Sequence, residues 1–276
     1  MSEAGRDYVF GISQRELERL ALQYQIGSAH AHQLWESARV QPGAVVVDAG
    51  CGPGHAALDL AQIVGPAGRV IGVDAARLFC DHLRAEAAAR RLVQLTVLEG
   101  DVHDLEAAGV PPGTADVVVA RFVLSHAASP ERALRSLRRA LKAGGRLVVT
   151  DVLDFAQMHL VPPRVPISRV IAEFVRIWRE RRGSPDVMRH LPALLTPCGF
   201  TLLDIQPQWR AARPGTLAWH WPDSFFRHCV PDLLERQVLD AATVEAFTEE
   251  WAEATREPGS VMYNPPLVSL IAAAGG

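Results

Sequence analysis

The chain has 276 residues, 49% of them hydrophobic, and a formal net charge of −3. That length holds one large α/β domain with insertions, or at most two domains, and the apolar content suffices for a full core. The slightly acidic balance excludes a general nucleic-acid binder, which would present an excess of Lys and Arg.

After a polar start, Ser13-Gln14-Arg15-Glu16 reads as a capping box, with Ser13 as cap and Glu16 three residues later. Leu17, Leu20, Leu22, Tyr24 and Ile26, then Leu34 and Trp35, follow as one or two helices in an N-terminal cap over 1–40. From Val45 onward strands and helices alternate: strand 45–49, helix 55–64, strand 69–74, helix 76–91, strand 94–98, strand 116–120, helix 130–142 and strand 145–151. Such alternation predicts an α/β fold with a doubly wound parallel sheet and a ligand crevice at the carboxyl ends of its strands. Asp48, Asp74, Asp101 and Arg121 all fall at those ends. Segments 200–205, preceded by a helix over 186–198, and 267–272 supply two further strands. The expected organisation is a cap at 1–40, a core at 41–152, a lid insertion at 153–185 and a sheet-completing part at 186–276, itself interrupted by a second insertion at 207–265. Long insertions with helical content commonly serve as lids or substrate walls.

The run Val45-Val46-Val47-Asp48-Ala49-Gly50-Cys51-Gly52-Pro53-Gly54 is an apolar strand, an acid, then glycines at alternate positions opening a helix. Glycine suits a strand-to-helix turn of unusual φ/ψ, and it lets a ligand approach the main chain. A dinucleotide fingerprint would carry its third glycine at position 55, where this chain has His55. The run instead resembles the first motif of the class I S-adenosylmethionine-dependent methyltransferases, D-x-G-x-G-x-G. Asp74, with Ala75, ends the second strand, and a carboxylate there can accept hydrogen bonds from both ribose hydroxyls. Asp101 with Val102 follows the third strand, and the resemblance implies that they hold the adenine. Acids at strand ends also serve as turn formers and helix caps; it is their combination that points to a nucleotide.

The resemblance covers the core from about Val45 to Asp151 and implies a seven-stranded Rossmann-like sheet closed by a sixth strand and an antiparallel seventh, with N-terminal helices and helical lid insertions. Tyr8-Val9-Phe10-Gly11 and Arg121-Phe122-Val123-Leu124-Ser125-His126 are similar to the small-molecule branch, which includes natural-product and ubiquinone or menaquinone methyltransferases. The expected cofactor set is Asp48, Ala49, Gly50, Cys51, Gly52, Gly54, Asp74, Ala75, Asp101, Val102, Arg121 and Tyr8. Tyr8 and Phe10 would cover the cofactor, and Arg121 would pair with its carboxylate, orient the loop or join a structural ion pair.

Methyl transfer from a sulfonium is an in-line displacement that chiefly requires alignment and exclusion of water. An oxygen or nitrogen acceptor with a bound proton benefits from a general base. His126, just beyond the fourth strand, is the favoured candidate, against a role in packing or capping the helix after Ser129-Pro130. No metal is expected, because Arg121 stands where oxygen ligands would be needed. Asn264-Pro265-Pro266 lies just before the last strand, away from the place of an amino-methylating motif, and reads as a turn; Pro197-Cys198 ends a helix and reads as a free structural cysteine. The insertions carry Phe155, Met158, His159, Phe174, Ile177, Trp178, Trp209, Phe225 and Phe226, which wall a flat apolar ligand or form the lid's own core. In Trp219-His220-Trp221-Pro222 three successive rings cannot all face one core, so one is expected to meet substrate or a partner subunit.

The sequence thus predicts a methyltransferase acting on O, N or C of an apolar or aromatic small molecule, in secondary metabolism. The alternative is an enzyme of this fold that uses bound S-adenosylmethionine non-reactively for a cyclisation, rearrangement or decarboxylation. Intact glycines argue against a non-catalytic relative, and the third glycine argues against an NAD oxidoreductase. Four scattered cysteines without a C-x-x-C pair, no signal-like start and no membrane-length apolar run lead to the expectation of a cytoplasmic protein. No nucleic-acid or membrane partner is expected, and a homodimer has candidate surfaces in the N-terminal helices and the aromatic insertion.

Overall fold

The computed structural model describes residues 13–275. Tyr8 and Phe10 lie outside that range. In chain order the strands are β1 (Val45–Ala49), β2 (Arg69–Asp74), β3 (Leu95–Glu99), β4 (Ala115–Arg121), β5 (Leu141–Val152), β6 (His159–Val161), β7 (Phe200–Gln208), β8 (Ala211–Ala212), β9 (Val261–Tyr263) and β10 (Leu267–Ala274). The helices are α1 (Gln14–Ser37), α2 (His55–Val64), α3 (Arg77–Ala89), α4 (Pro130–Ala140), α5 (Val165–Glu180), α6 (Leu191–Leu195), α7 (Leu217–Glu235) and α8 (Ala241–Arg256).

Seven strands form one sheet in the order β3-β2-β1-β4-β5-β10-β7. β1 to β5 pair in parallel, and β10 runs antiparallel between β5 and β7. Helices cover both faces, so strands such as β1 and β4 are nearly continuous apolar runs, with Val46, Val47 and Val118 fully buried. One face packs on α4 and α6 through Leu134, Leu137 and Leu191; the other packs on α1 and α2 through Leu34, Trp35 and Leu60. The expected doubly wound sheet is the observed one.

Both insertions contribute to a second core. Phe155, Phe174 and Trp178 meet Trp219, Phe225, Phe226 and Trp251 there, beside a small sheet of order β6-β9-β8. Residues 153–185 and 207–265 therefore share apolar contacts with each other as well as with the main sheet. No described helix is long and apolar enough to cross a membrane.

Of the one or two helices expected in the N-terminal segment, the structure has one, of 24 residues. Ser13 Oγ accepts from Glu16 N–H as the expected cap, and Arg19 donates to both oxygens of the Glu16 carboxylate. The helix expected over 186–198 is broken into a 3-10 turn at Val187–Arg189, α6, and another turn at Thr196–Cys198. Pro192 and Pro197 supply no N–H to a continuing helix, and Gly199 turns left-handed at φ +83°. Most other boundaries move by one or two residues, whereas β5 begins at Leu141, four residues earlier than expected.

Candidate functional site

The carboxyl ends of β1 to β4 open on a cavity of about 540 Å³, a size typical of small-molecule sites. Asp48, Gly50, Cys51, Gly52, Asp74, Ala75, Asp101, Val102, Arg121 and His126 line it. Ala49 is buried behind them, and Gly54 caps the start of α2.

The three glycines after β1 all have left-handed φ, +72° at Gly50, +55° at Gly52 and +91° at Gly54. They serve different ends. A Cβ on Gly50 would strike Val123 at 2.3 Å and one on Gly54 would strike Leu83 at 2.1 Å, while Gly52 has nothing within 4 Å. Close packing therefore demands two of the glycines, and only Gly52 keeps the cavity side open.

Asp74 accepts from Gly52 N–H and Ala76 N–H, both at 2.8 Å, which fastens the glycine turn to the end of β2. Burial pushes its carboxyl upward, and the backbone N–H groups oppose that shift. Each oxygen keeps acceptor capacity for a ligand hydroxyl. Asp48 is 2% exposed, and its Oδ2 has no hydrogen-bond partner among the described residues. Burial and the nearby Asp74 raise it to about 7, with Arg121 and the Ala57 N–H pulling the other way. An incompletely satisfied carboxylate on the wall calls for a cationic ligand group. S-adenosylmethionine, which carries a sulfonium and an ammonium, fits that requirement and the opening at Gly52.

Asp101 accepts from the His103 backbone N–H at 2.9 Å and from His103 Nδ1 at 2.6 Å. His103 Nε2 accepts from Ser129 N–H at 3.2 Å, so the ring hydrogen resides on Nδ1. The loops after β3 and β4 are joined by this bridge. The His103 hydrogen bonds hold the Asp101 carboxyl below its ordinary range.

The Arg121 guanidinium is wedged between α1 and β4. It donates to the Gln23 carbonyl at 3.3 Å and lies over the Tyr24 and Phe122 rings at 5.3 and 5.2 Å. Gly27 leaves it room, since a Cβ there would meet Nη2 at 2.5 Å. Burial lowers it to about 10. The structural ion pair offered as one role for Arg121 is absent among the described residues. Phe122 adopts φ +55°, a strained conformation for a bulky side chain that costs about 1–3 kcal/mol and marks functional loops.

His126 stacks on Trp178, and burial, with Arg19 nearby, lowers it to about 3. Phe122, Phe155, Trp178 and Trp221 complete the apolar part of the wall. In the Trp-His-Trp run, Trp219 is buried against Trp251, His220 is exposed, and Trp221 lines the cavity while donating to Gln23 Oε1 at 3.2 Å. Residue-by-residue reading missed Gln23, Tyr24, Phe122 and Asn264 as cavity residues. Only Phe122, inside the loop already singled out after the fourth strand, carried a local signal.

The methyltransferase domain family matches at residues 41–173. An uncharacterised transposon-borne protein of Streptomyces fradiae is 33% identical over 167 residues, 60% of this chain and 46% of that protein. The ubiquinone/menaquinone biosynthesis C-methyltransferase UbiE of Vibrio campbellii is 30% identical over 194 residues, 63% of this chain and 72% of its own length. The chain spans less than half the length of the first three curated relatives it matches, two of which are arsenite methyltransferases. Among solved structures, the 4+2 cyclase SpnF shares the fold at a TM-score of 0.57 and 20% identity, over 91% of this chain and 82% of that one.

The chain belongs to the class I S-adenosylmethionine-dependent methyltransferases. Its cofactor is S-adenosylmethionine.

Proposed function

We propose that this chain transfers a methyl group to oxygen, nitrogen or carbon of an apolar or aromatic small molecule, in secondary metabolism. The observation that carries the reading is the division of one cavity: glycine turn and acids at the ends of β1 to β3, aromatic side chains from the lid opposite. S-adenosylmethionine supplies an electrophilic methyl when bound. Gly52 gives it backbone access, Asp74 with Ala75 takes the ribose, Asp101 with Val102 takes the adenine, and Asp48 balances its positive end. Arg121 takes the carboxylate of the cofactor. Phe122, Phe155, Trp178 and Trp221 exclude water and align the acceptor, which is most of what an in-line displacement asks of a protein. His126 contacts the acceptor as a neutral imidazole; its low basicity suits orientation better than holding a proton.

Residues 153–185 and 207–265 act together as the lid, a reading supported by their common apolar core. A cytoplasmic setting is supported by four free, buried cysteines.

The test is calorimetric titration with S-adenosylhomocysteine, with Asp74→Ala as control and NADH as comparison, followed by an acceptor screen that detects S-adenosylhomocysteine release. Micromolar binding lost in the variant supports the reading; NADH bound in its place overturns it. A second reading, cyclisation or rearrangement with the cofactor unreacted, is favoured by the depressed His126, which offers no proton uptake near neutrality. Turnover without S-adenosylhomocysteine formation would select it.

A further inference from the structure

Asn264-Pro265-Pro266 joins β9 to β10, and its place in the fold carries it to the cavity. Because β10 is antiparallel to its neighbours, its entry, with Leu267 beside Val152 and Gln208, lies at the carboxyl ends of the parallel strands. Asn264 therefore lines the cavity, at 8% exposure. Its backbone is fixed on both sides: the N–H donates to the Arg210 carbonyl at 2.9 Å, and the carbonyl accepts from Trp209 Nε1 at 3.0 Å. Its side-chain Oδ1 is buried and has no hydrogen-bond partner among the described residues. That atom is an acceptor only, and leaving it unpaired is costly, so the site is built to receive a hydrogen-bond donor.

The polar groups nearest in the fold are engaged elsewhere. Ser269 Oγ gathers Gln208 Nε2 and Thr150 Oγ1 at 2.8 Å and His30 Nε2 at 3.2 Å, which closes that network on itself. Charge then narrows the kind of donor. Burial, with Arg210 and Arg121 close, favours the neutral form of His30, and a cationic ligand group would meet the same two guanidinium groups. The carboxylates that could balance a cation, Asp48, Asp74 and Asp101, lie at the ends of β1, β2 and β3, whereas β10 and β7 sit on the other side of β4. An ionised carboxylate suits the positive surroundings but brings no hydrogen to Oδ1. A neutral hydroxyl meets both conditions, since its hydrogen goes to Oδ1 while its oxygen remains an acceptor toward the positive side.

We infer that Asn264 determines specificity by accepting, at Oδ1, a hydrogen bond from an uncharged hydroxyl carried by the methyl acceptor, an alcohol or phenol with an apolar body. The inference rests on the methyltransferase reading above. Phe155, Trp178 and Trp221 on the cavity wall receive the body. Discrimination comes from the cost of leaving Oδ1 unpaired when the hydroxyl is missing, which exceeds what apolar contacts alone can supply.

Three probes with one ring system test it on the full chain saturated with S-adenosylhomocysteine, titrated calorimetrically at pH 7.5: 2-naphthol, 2-methoxynaphthalene, which lacks the donor, and 2-naphthoate, which lacks it and is charged. The expected result is 2-naphthol binding about tenfold or more tighter than either of the others. Asn264→Leu should erase the preference over 2-methoxynaphthalene, while the affinity for S-adenosylhomocysteine stays unchanged and reports an intact fold. Asn264→Asp, which keeps an acceptor oxygen at that position, should retain the preference and weaken 2-naphthoate further; should the leucine variant fail to fold, loss of the preference in Asn264→Asp overturns the assignment by itself. Equal affinity for 2-naphthol and 2-methoxynaphthalene in the parent chain, or a preference indifferent to Asn264→Leu, also overturns it. So does a preference for 2-naphthoate that Asn264→Leu abolishes, which would mean that the amide nitrogen meets the ligand in place of Oδ1. If the unaltered chain fails to bind S-adenosylhomocysteine at all, the failure lies in the methyltransferase reading, and the hydroxyl assignment falls with it; if S-adenosylhomocysteine binds and the hydroxyl preference is missing, only the assignment of Asn264 falls.

Discussion

His126 lies face to face with Trp178, ring centroids 4.7 Å apart and planes 17° from parallel, while Trp178 Nε1 donates to the Ser125 carbonyl. This arrangement fixes the loop after β4 against α5 and buries His126 Nδ1. Burial holds the folded-state imidazole at about 3, against an ordinary 6.5. The unfolded chain thus binds a proton that the folded chain refuses, and His126 contributes stability above pH 6.5 that is lost progressively as pH falls toward 3. Lowering the pH from 7 to 5 should cost on the order of 1–2 kcal/mol of unfolding free energy. Urea denaturation of His126→Phe should show a clearly smaller loss over the same range; an unchanged loss would mean that other groups govern the acid limb.

Asp48 pulls in the other direction. Its carboxyl is raised to about 7 in the folded state from 3.8, so its ionisation opposes folding: stability present below pH 3.8 is lost as pH rises through 7. Asp48→Asn should raise the stability of the ligand-free protein at pH 8 by on the order of 1–3 kcal/mol. It should also weaken S-adenosylmethionine binding about tenfold and flatten the dependence of that affinity on pH between 6 and 8. Thermal denaturation and calorimetry on the same samples check both halves, since a variant that gains stability without losing affinity would deny Asp48 a ligand role.

Gly52 and Gly54 should separate binding from folding. Alanine at either position meets a left-handed φ, which costs about 1–2 kcal/mol for a residue with a Cβ. At Gly54 the Cβ also drives into Leu83, and total destabilisation should reach roughly 3 kcal/mol or more. Gly52→Ala meets open space, so it should remain folded within about 2 kcal/mol. Its affinity for S-adenosylhomocysteine should nevertheless fall sharply. Denaturation and calorimetry in parallel would reveal the reverse ranking if the packing argument were mistaken.

What was legible in the sequence was local. Apolar strands bounded by acids and glycines, and helices with a cap such as Ser129 before Pro130, specify themselves within about ten residues, and the alternation then leaves few topologies. The cofactor end of the cavity was readable for the same reason, because its turn and acids lie at strand ends. The acceptor end was not. Asn264 reaches the cavity only because β10 is reversed, and Gln23 only because α1 crosses to α7, where it meets Trp221. His126 was placed correctly beside the fourth strand, yet its environment comes from Trp178, 52 positions later on α5. Helix 186–198 failed for a local reason that was visible, two prolines, and overridden by apolar spacing.

The contact between α1 and α7 carries a buried ion pair. Glu16 and Arg19 are 0% and 4% exposed, and the guanidinium holds both carboxylate oxygens, at 2.6 and 2.7 Å, while donating to Gln23 Oε1 at 2.8 Å. Gln23 in turn accepts from Trp221, and His228 of α7 approaches Glu16 at 3.8 Å, so the pair is the hub of the clasp that joins α1 to α7. Removing one charge from such a pair leaves the other buried without its closest partner, at a cost of roughly 3–5 kcal/mol, whereas removing both can be near neutral. Arg19→Met should therefore destabilise strongly, and Glu16→Gln with Arg19→Met should recover most of the loss in a double-mutant cycle. If the double variant is as unstable as Arg19→Met alone, packing of the Arg19 stem, not its charge, secures the clasp. Because Arg19 and Trp221 both line the cavity, the recovered double variant should still bind acceptor-like naphthalene probes less tightly than the parent chain, with S-adenosylhomocysteine affinity retained.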